Sequence, residues 1–377
     1  MATSRREPRS ARACGALGVS SQAGFTKVSA DKAFVIGFET ALRRYAELRA
    51  FDDSLLADYL DEFYPTEMLV GLDAESVAAD TSLRPIVMPG VTPLAIEGLT
   101  RALRDDGPFD TVVGSRRNRR PSSRIICHAW TGPTPDGLLA GLARDMYLCA
   151  PELVFLQMAD VLPKLALLEY AYELCGSYTF VGGRSGGVLY DGVRAITTPE
   201  RLVAVAALAR GTRGLDNARF AAKYVHAGSR SPMETQLAIM LSLPMVHGGF
   251  ECGHMRMDRR IDLPEAARLM ASREYLVADI FFDRAGVDVE YQGGQHGASA
   301  SRARDDARSN ALMMVGVLEL KVWKDHLYDE AILSEVARLI RKRSGLRGRV
   351  VGKRAAVRRS ELIEFLRAGT LGRDWVA

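Results

Sequence analysis

The chain has 377 residues, more than one ordinary domain needs, and its 47% hydrophobic and 25% charged residues are the balance of a soluble globular protein with a sizeable core. Its five cysteines (Cys14, Cys127, Cys149, Cys175 and Cys252) are odd in number, scattered and without a CxxC, which excludes a disulfide framework and points to a reducing cytoplasm. No apolar run approaches the ~20 residues of a membrane span, and the N-terminus lacks the apolar stretch of a secretory signal.

A net charge of +4 decides little, but its distribution is informative. Arg5, Arg6, Arg9 and Arg12 cluster at the start. Arg116, Arg117, Arg119 and Arg120 form a second group. A third begins at Arg341, Lys342 and Arg343 and continues to Arg358 and Arg359. Any one group reads as solvated surface; three together favour a nucleic-acid partner whose phosphates they contact, with Arg308 a further candidate phosphate contact.

Residues 1 to about 30 are polar, basic and rich in Ser, Ala and Gly, and are expected to be a disordered tail. From Phe34 to Asp61, Phe38, Leu42, Tyr45 and Leu48 recur at helical spacing. Pro65, Pro85, Pro89 and Pro93 then break the chain into short pieces. Thr111 to Gly114 and Arg124 to Trp130 read as strands around a turn-like Arg-Arg-Pro-Ser stretch. Glu152 to Cys175 reads as one or two helices. Gly182, Gly183, Gly186 and Gly187 lack the Gly-Lys-Ser/Thr ending of a phosphate loop, so this stretch is expected to be a loop or hairpin. Thr198 caps a helix that has Pro199 in its first turn, and another helix covers Leu215 to His226. Gly228-Ser229-Arg230-Ser231 closes this region as a domain boundary.

Three pieces beyond it carry chemistry. Ser231-Pro232-Met233-Glu234 opens a helix. Leu276 to Phe282 is an apolar strand interrupted by Asp279. Val287 to Gln292 is a strand carrying Glu290 and Gln292. The turn sequence Asp283-Arg284-Ala285-Gly286 joins the two strands, and a bend between Arg284 and Ala285 sets Asp279 opposite Glu290. Directly opposed residues have Cβ atoms about 5 Å apart, and two carboxylates that close repel unless a cation lies between them. Oxygen ligands suit Mg²⁺, with Mn²⁺ an alternative, which in phosphodiester hydrolysis activates water and stabilises charge.

The order helix acid, strand Asp, then Glu-x-Gln resembles the motif of the PD-(D/E)xK nuclease superfamily. The continuation Glu-Tyr-Gln-Gly-x-x-His, then Asp306 and Arg308 on a helix, then Leu318 to Trp323 as a strand, resembles its very-short-patch-repair-like branch. The resemblance covers the last third of the chain. It implies a restriction-endonuclease-like core with a central mixed sheet flanked by helices, within an α/β (α+β overall) chain. It implies Asp279 and Glu290 as metal ligands, Glu234 as an accessory contact, Gln292 at the usual lysine position, and His296 as an acid/base or phosphate contact. Lys321 is a source of the missing positive charge; without one the site is weakened or dead. Thr111 to Cys175 loosely resembles an abortive-infection-antitoxin-like module, which implies DNA or a partner protein of a toxin–antitoxin or defence system. The expected organisation is a tail over 1–30, an N-terminal α+β domain over 31–195, a helical connector over 196–230, the nuclease-like domain over 231–343 and a basic extension over 344–377. The expected function is a DNA endonuclease in repair, restriction or phage defence; the alternative is a non-catalytic DNA-binding regulator that keeps the scaffold.

Plainer explanations stand beside these. Glu234 fits a capping box. Glu290 fits a surface strand position, His296 a loop contact, and Asp306 with Arg308 an exposed helical pair. His247, Cys252 and His254 offer no fourth zinc ligand and read as a loop without metal. Asp279 is harder to dismiss, because an unpaired carboxylate in an apolar strand is costly.

Overall fold

The computed structural model describes residues 33–63, 65–72, 88–132, 134, 136–182, 187–293, 299–347 and 352–369. The expected tail, Pro85, the glycines Gly183 and Gly186, and His296 lie outside these residues.

The chain is mixed α/β. Its first sheet has strands β1 (Phe34–Ile36), β2 (Phe109–Val113), β3 (Ile125–Ala129), β4 (Leu139–Ala143) and β5 (Met146–Cys149) in the order β3-β2-β1-β5-β4. The central strand β1 is apolar and wholly buried, as a strand covered on both faces must be. It leads into α1 (Phe38–Phe51) and α2 (Asp53–Asp61); α3 (Thr66–Gly71) and α4 (Pro93–Leu103) follow. Asp52 and Thr92 accept backbone N–H groups at the starts of α2 and α4. β2 and β3 are parallel, with Phe109 beside Ile125, so the arginine-rich stretch between them is a crossover carrying a 3-10 turn at Arg116–Asn118, not a hairpin turn.

Helices α5 (Pro151–Met158) and α6 (Lys164–Cys175) are almost wholly buried. They are two because Pro163 cannot donate the hydrogen bond that would continue the first. The glycine-rich stretch lies between β6 (Tyr178–Val181) and β7 (Val188–Asp191), an antiparallel hairpin. Then come α7 (Pro199–Leu208), where Thr198 accepts the Arg201 N–H as the sequence implies, and α8 (Leu215–Tyr224).

The remainder forms α9 (Pro232–Ser242), β8 (Arg256–Asp262), α10 (Glu265–Ala271), β9 (Tyr275–Phe282), β10 (Val287–Gln292), α11 (Ser299–Met314), β11 (Leu318–Trp323), α12 (Glu330–Arg343) and α13 (Lys353–Arg367). The second sheet has the order β11-β10-β9-β8: β8, β9 and β10 run antiparallel in turn, and β11 lies parallel to β10 after the α11 crossover. One apolar cluster runs from Ala33 to Leu366 and includes side chains of β1, α5, α6 and α9, with Ile280 and Phe282 of β9 and Val287 and Val289 of β10.

Two polar ties brace this core. Gln236 on α9 donates to Glu169 on α6 (3.2 Å) and to the Leu366 carbonyl (3.2 Å), and accepts from Tyr328 (2.5 Å). The stretch expected to be a basic extension is therefore partly core: Leu362, Ile363 and Leu366 are buried, and Arg359 stacks on Phe250 at 4.0 Å. Arg49 on α1 is buried and donates to the carbonyls of Arg194 (2.7 Å), Glu173 (3.0 Å) and Gly176 (2.8 Å), closing the end of α6. Arg49→Met keeps the aliphatic stem but removes three charge-assisted hydrogen bonds to main-chain carbonyls, two of them buried. It is expected to lower unfolding free energy by about 3 kcal/mol or more in urea denaturation; a loss under about 0.5 kcal/mol, the range of ordinary surface substitutions, would contradict this bracing role.

Candidate active site

The β9–β10 hairpin folds as the sequence implies. Gly286 adopts φ +59° in the turn, where a side chain would be strained. Val287 pairs with Phe282, Asp288 with Phe281 and Val289 with Ile280, the register that leads on to Glu290 opposite Asp279. The ladder stops one pair short of these acids. There the Asp279 carboxylate itself accepts the Tyr291 N–H at 3.2 Å.

Side chains alternate along a strand, so Asp288, Glu290 and Gln292 share a face of β10. The parallel partner β11 sets Glu319 beside Asp288, Lys321 beside Glu290 and Trp323 beside Gln292. From α11, Arg308 reaches this row. Its Nε donates to Glu290 Oε2 (2.8 Å) and Glu319 Oε1 (2.8 Å), and its Nη2 to Asp288 Oδ2 (2.9 Å) and the Val277 carbonyl (2.9 Å). Gln292 Nε2 donates to the other Glu290 oxygen at 3.0 Å. Lys321 lies 3.4 Å from both Glu319 and the Ser309 hydroxyl, which itself donates to Glu319.

Glu234 stands at the start of α9. The capping geometry is present: Ser231 Oγ accepts the Glu234 N–H (3.2 Å), and Glu234 Oε2 accepts the Arg230 N–H (2.9 Å). The same carboxyl group is also within electrostatic reach of Asp279, so capping and membership of the acid cluster coexist.

Among the described residues, five carboxyl groups (Glu234, Asp279, Asp288, Glu290 and Glu319) thus gather around two inner cations, Arg308 and Lys321, with Arg230 and Asp258 at the rim. The imbalance appears in their acidity. Burial first, then Asp279, pushes Glu234 up to about 7. Burial raises Asp279 against the Tyr291 N–H and Arg308, which lower it. Burial lifts Asp288 to about 8 despite Arg308. Burial and a carboxyl–carboxylate contact with Glu319 bring Glu290 to about 7. Glu319 is held below its ordinary value: burial acts to raise it, but hydrogen bonds with Glu290, Ser309 and Arg308 outweigh that. Glu290 and Glu319 therefore compete for one proton. Asp288 Oδ1 is buried and has no hydrogen-bond partner among the described residues.

Glu234, Asp279, Glu290 and Gln292 come into one neighbourhood, and Lys321 lies on the next strand with its charge directed to Glu319. The tightest acid group among the described residues differs from the Asp279–Glu290 pair read from sequence. Asp288, Glu290 and Glu319 offer oxygens within 4.8 Å of one another. Sequence reasoning passed over Asp288 and Glu319. Each stands two residues before a residue it did single out, so strand alternation was the available signal; the parallel pairing that aligns them was not.

Arg308 is the clearest correction. It is neither half of an exposed pair with Asp306 nor a free phosphate contact. Its guanidinium is enclosed by three carboxylates, whereas Asp306 is exposed. The other basic residues divide. Arg116, Arg117, Arg119 and Arg120 are exposed and have no carboxylate within ion-pair distance among the described residues, although Arg120 donates to the carbonyls of Arg117 and Arg119. Arg341 donates to the carbonyls of Glu251 and Arg347, and Arg343 to Ala285 in the hairpin turn (2.9 Å), so both brace structure. Lys342 is exposed. His247 packs edge-on against Phe220 at 5.0 Å, and Cys252 is buried.

No family model matches the chain, and neither curated proteins nor solved structures give a match.

Glu234, Asp288 and Glu290 bind protons more tightly folded than unfolded, so the folded chain carries the extra protons between pH ~4.5 and ~8 and stability falls as pH rises through that window. The double variant Asp288→Asn, Glu290→Gln removes two of these groups. Thermal melts in EDTA at pH 6 and pH 8.5 are expected to show a smaller alkaline loss for it than for wild type. Equal losses would contradict the under-neutralised cluster.

Proposed function

We propose that this chain is a metal-dependent DNA endonuclease that hydrolyses phosphodiester bonds, in repair, restriction or phage defence. The observation that carries this reading is the convergence of acids from a helix start, a strand and the next strand into one largely buried cluster, with too few cations among the described residues to neutralise it. That order of carriers is the one the nuclease motif implies.

The donor set fits a hard divalent ion such as Mg²⁺ or Mn²⁺. All the candidate ligands are carboxylate oxygens, Asp279 raises both Glu234 and Glu290, and a buried oxygen of Asp288 has no partner among the described residues. Asp279 and Glu290 would hold the ion. When bound, such an ion supplies activation of water and stabilisation of charge on the phosphate. Gln292 holds one Glu290 oxygen by its amide, fixing the carboxylate without adding charge. Glu234, near neutrality in its acidity, is suited to take a proton from attacking water. The exposed arginines Arg116 to Arg120 are available to backbone phosphates. Described cysteines Cys127, Cys149, Cys175 and Cys252 are free and buried, in keeping with a cytoplasmic protein, and no described helix is long and apolar enough to cross a membrane.

A non-catalytic DNA-binding regulator, paired with a protein of a toxin–antitoxin or defence system, is the second reading. Gln292 favours it, because an amide replaces the motif lysine and is spent on Glu290.

Supercoiled plasmid separates the two. With Mg²⁺ or Mn²⁺ the wild type is expected to nick it and EDTA to stop the reaction. Asp279→Ala and Glu290→Ala should each reduce the rate at least ~100-fold, the scale of losing a ligand to a charge-stabilising centre. Equal nicking by all three proteins, or salt-sensitive DNA binding with no cleavage by any, would overturn the enzymatic reading.

A further inference from the structure

We infer that Arg308 is the positioning residue of this acid site, holding Glu290 in the orientation from which it acts. The inference rests on the hydrolytic reading above. Arg308 bonds to residues of all three strands that build the site: the Val277 carbonyl on β9, Asp288 and Glu290 on β10, and Glu319 on β11. Its side chain is only 19% exposed, so these contacts are shielded from competing water.

The effect on Glu290 is specific. Arg308 holds Oε2 at 2.8 Å while Gln292 holds Oε1 at 3.0 Å, so neither carboxylate oxygen is free to swing. Without Arg308, Glu290 would face Asp279, Asp288 and Glu319 with no described cation in direct contact, since Lys321 is directed to Glu319. The carboxylate would then rotate away from its neighbours. Arg308 thus does for Glu290 what the motif residue at Gln292 cannot, because an amide carries no charge. A lysine is a poor replacement: its ammonium is a point charge on a flexible stem, whereas the planar guanidinium engages three carboxylates and a carbonyl in fixed directions.

A role in positioning and a role in mere neutralisation differ in a measurable way. Removing a cation leaves the acids less neutralised, so binding of a divalent ion persists or tightens. Loss of orientation lowers turnover. A generally damaged fold loses both.

The test compares wild type, Arg308→Lys, Arg308→Met and the double variant Arg308→Met, Glu319→Gln, which removes one acid with the cation and guards against unfolding. Mn²⁺ affinity is read by electron paramagnetic resonance without DNA, and kcat and KM by plasmid nicking. Both single variants are expected to lose at least ~10-fold in kcat with KM within about twofold, while Mn²⁺ binds as tightly as to wild type or more so. The double variant should keep a wild-type melting profile and remain slow. Wild-type kcat in Arg308→Met, or parallel loss of Mn²⁺ binding and turnover in the folded double variant, would overturn the positioning role. A wild type that binds Mn²⁺ but cleaves no DNA would instead remove the hydrolytic reading on which that role rests.

Discussion

The guanidinium of Arg308 among Asp288, Glu290 and Glu319 is the contact on which the site depends. Burying one unpaired carboxylate costs on the order of several kcal/mol, and this sheet brings several together. A single arginine reduces the cost by touching three of them, but it cannot cancel it. The remaining charge appears as protons held to unusually high pH on Glu234, Asp288 and Glu290. In such a cluster a further cation, beside Arg308 and Lys321, would be stabilising.

The fold puts the cluster there by a short chain of causes. A tight turn at Asp283 to Gly286 aligns β9 and β10. The α11 crossover returns the chain so that β11 runs parallel to β10, which sets Glu319 and Lys321 in register with Asp288 and Glu290. The same helix carries Arg308 over the row. Val287 and Val289, alternating with the acids, are buried in the main core, so the strand cannot slip without exposing them. Arg343 ties α12 to the hairpin turn at Ala285, and Gln236 ties α9 to α6 and α13. Thus residues far from the acids fix their geometry.

What the sequence made legible was local. The hairpin register followed from turn chemistry and apolar alternation. The starts of α7 and α9 followed from Thr198-Pro199 and Ser231-Pro232. Asp279 stood out because an acid in an apolar strand requires an explanation. Non-local features were hidden. Whether β2 and β3, or β10 and β11, pair parallel depends on where the connecting segments return, which periodicity does not encode. Asp288 and Glu319 therefore looked like ordinary strand acids, and Arg308 like one more surface arginine. The C-terminal basic run misled for a related reason: long arginine stems pack on apolar surface, and Arg359 is buried against Phe250.

The central claim is that the acids retain room for a divalent cation beside the charges that Arg308 and Lys321 already provide. Anomalous diffraction from crystals soaked in Mn²⁺ tests it most directly. A single strong peak bridging Asp279 and Glu290, with the Arg308 guanidinium still bonded to Asp288 and Glu319, is the result this account predicts. No peak at the acids, or a peak that has expelled Arg308 from between Asp288 and Glu319, would contradict it.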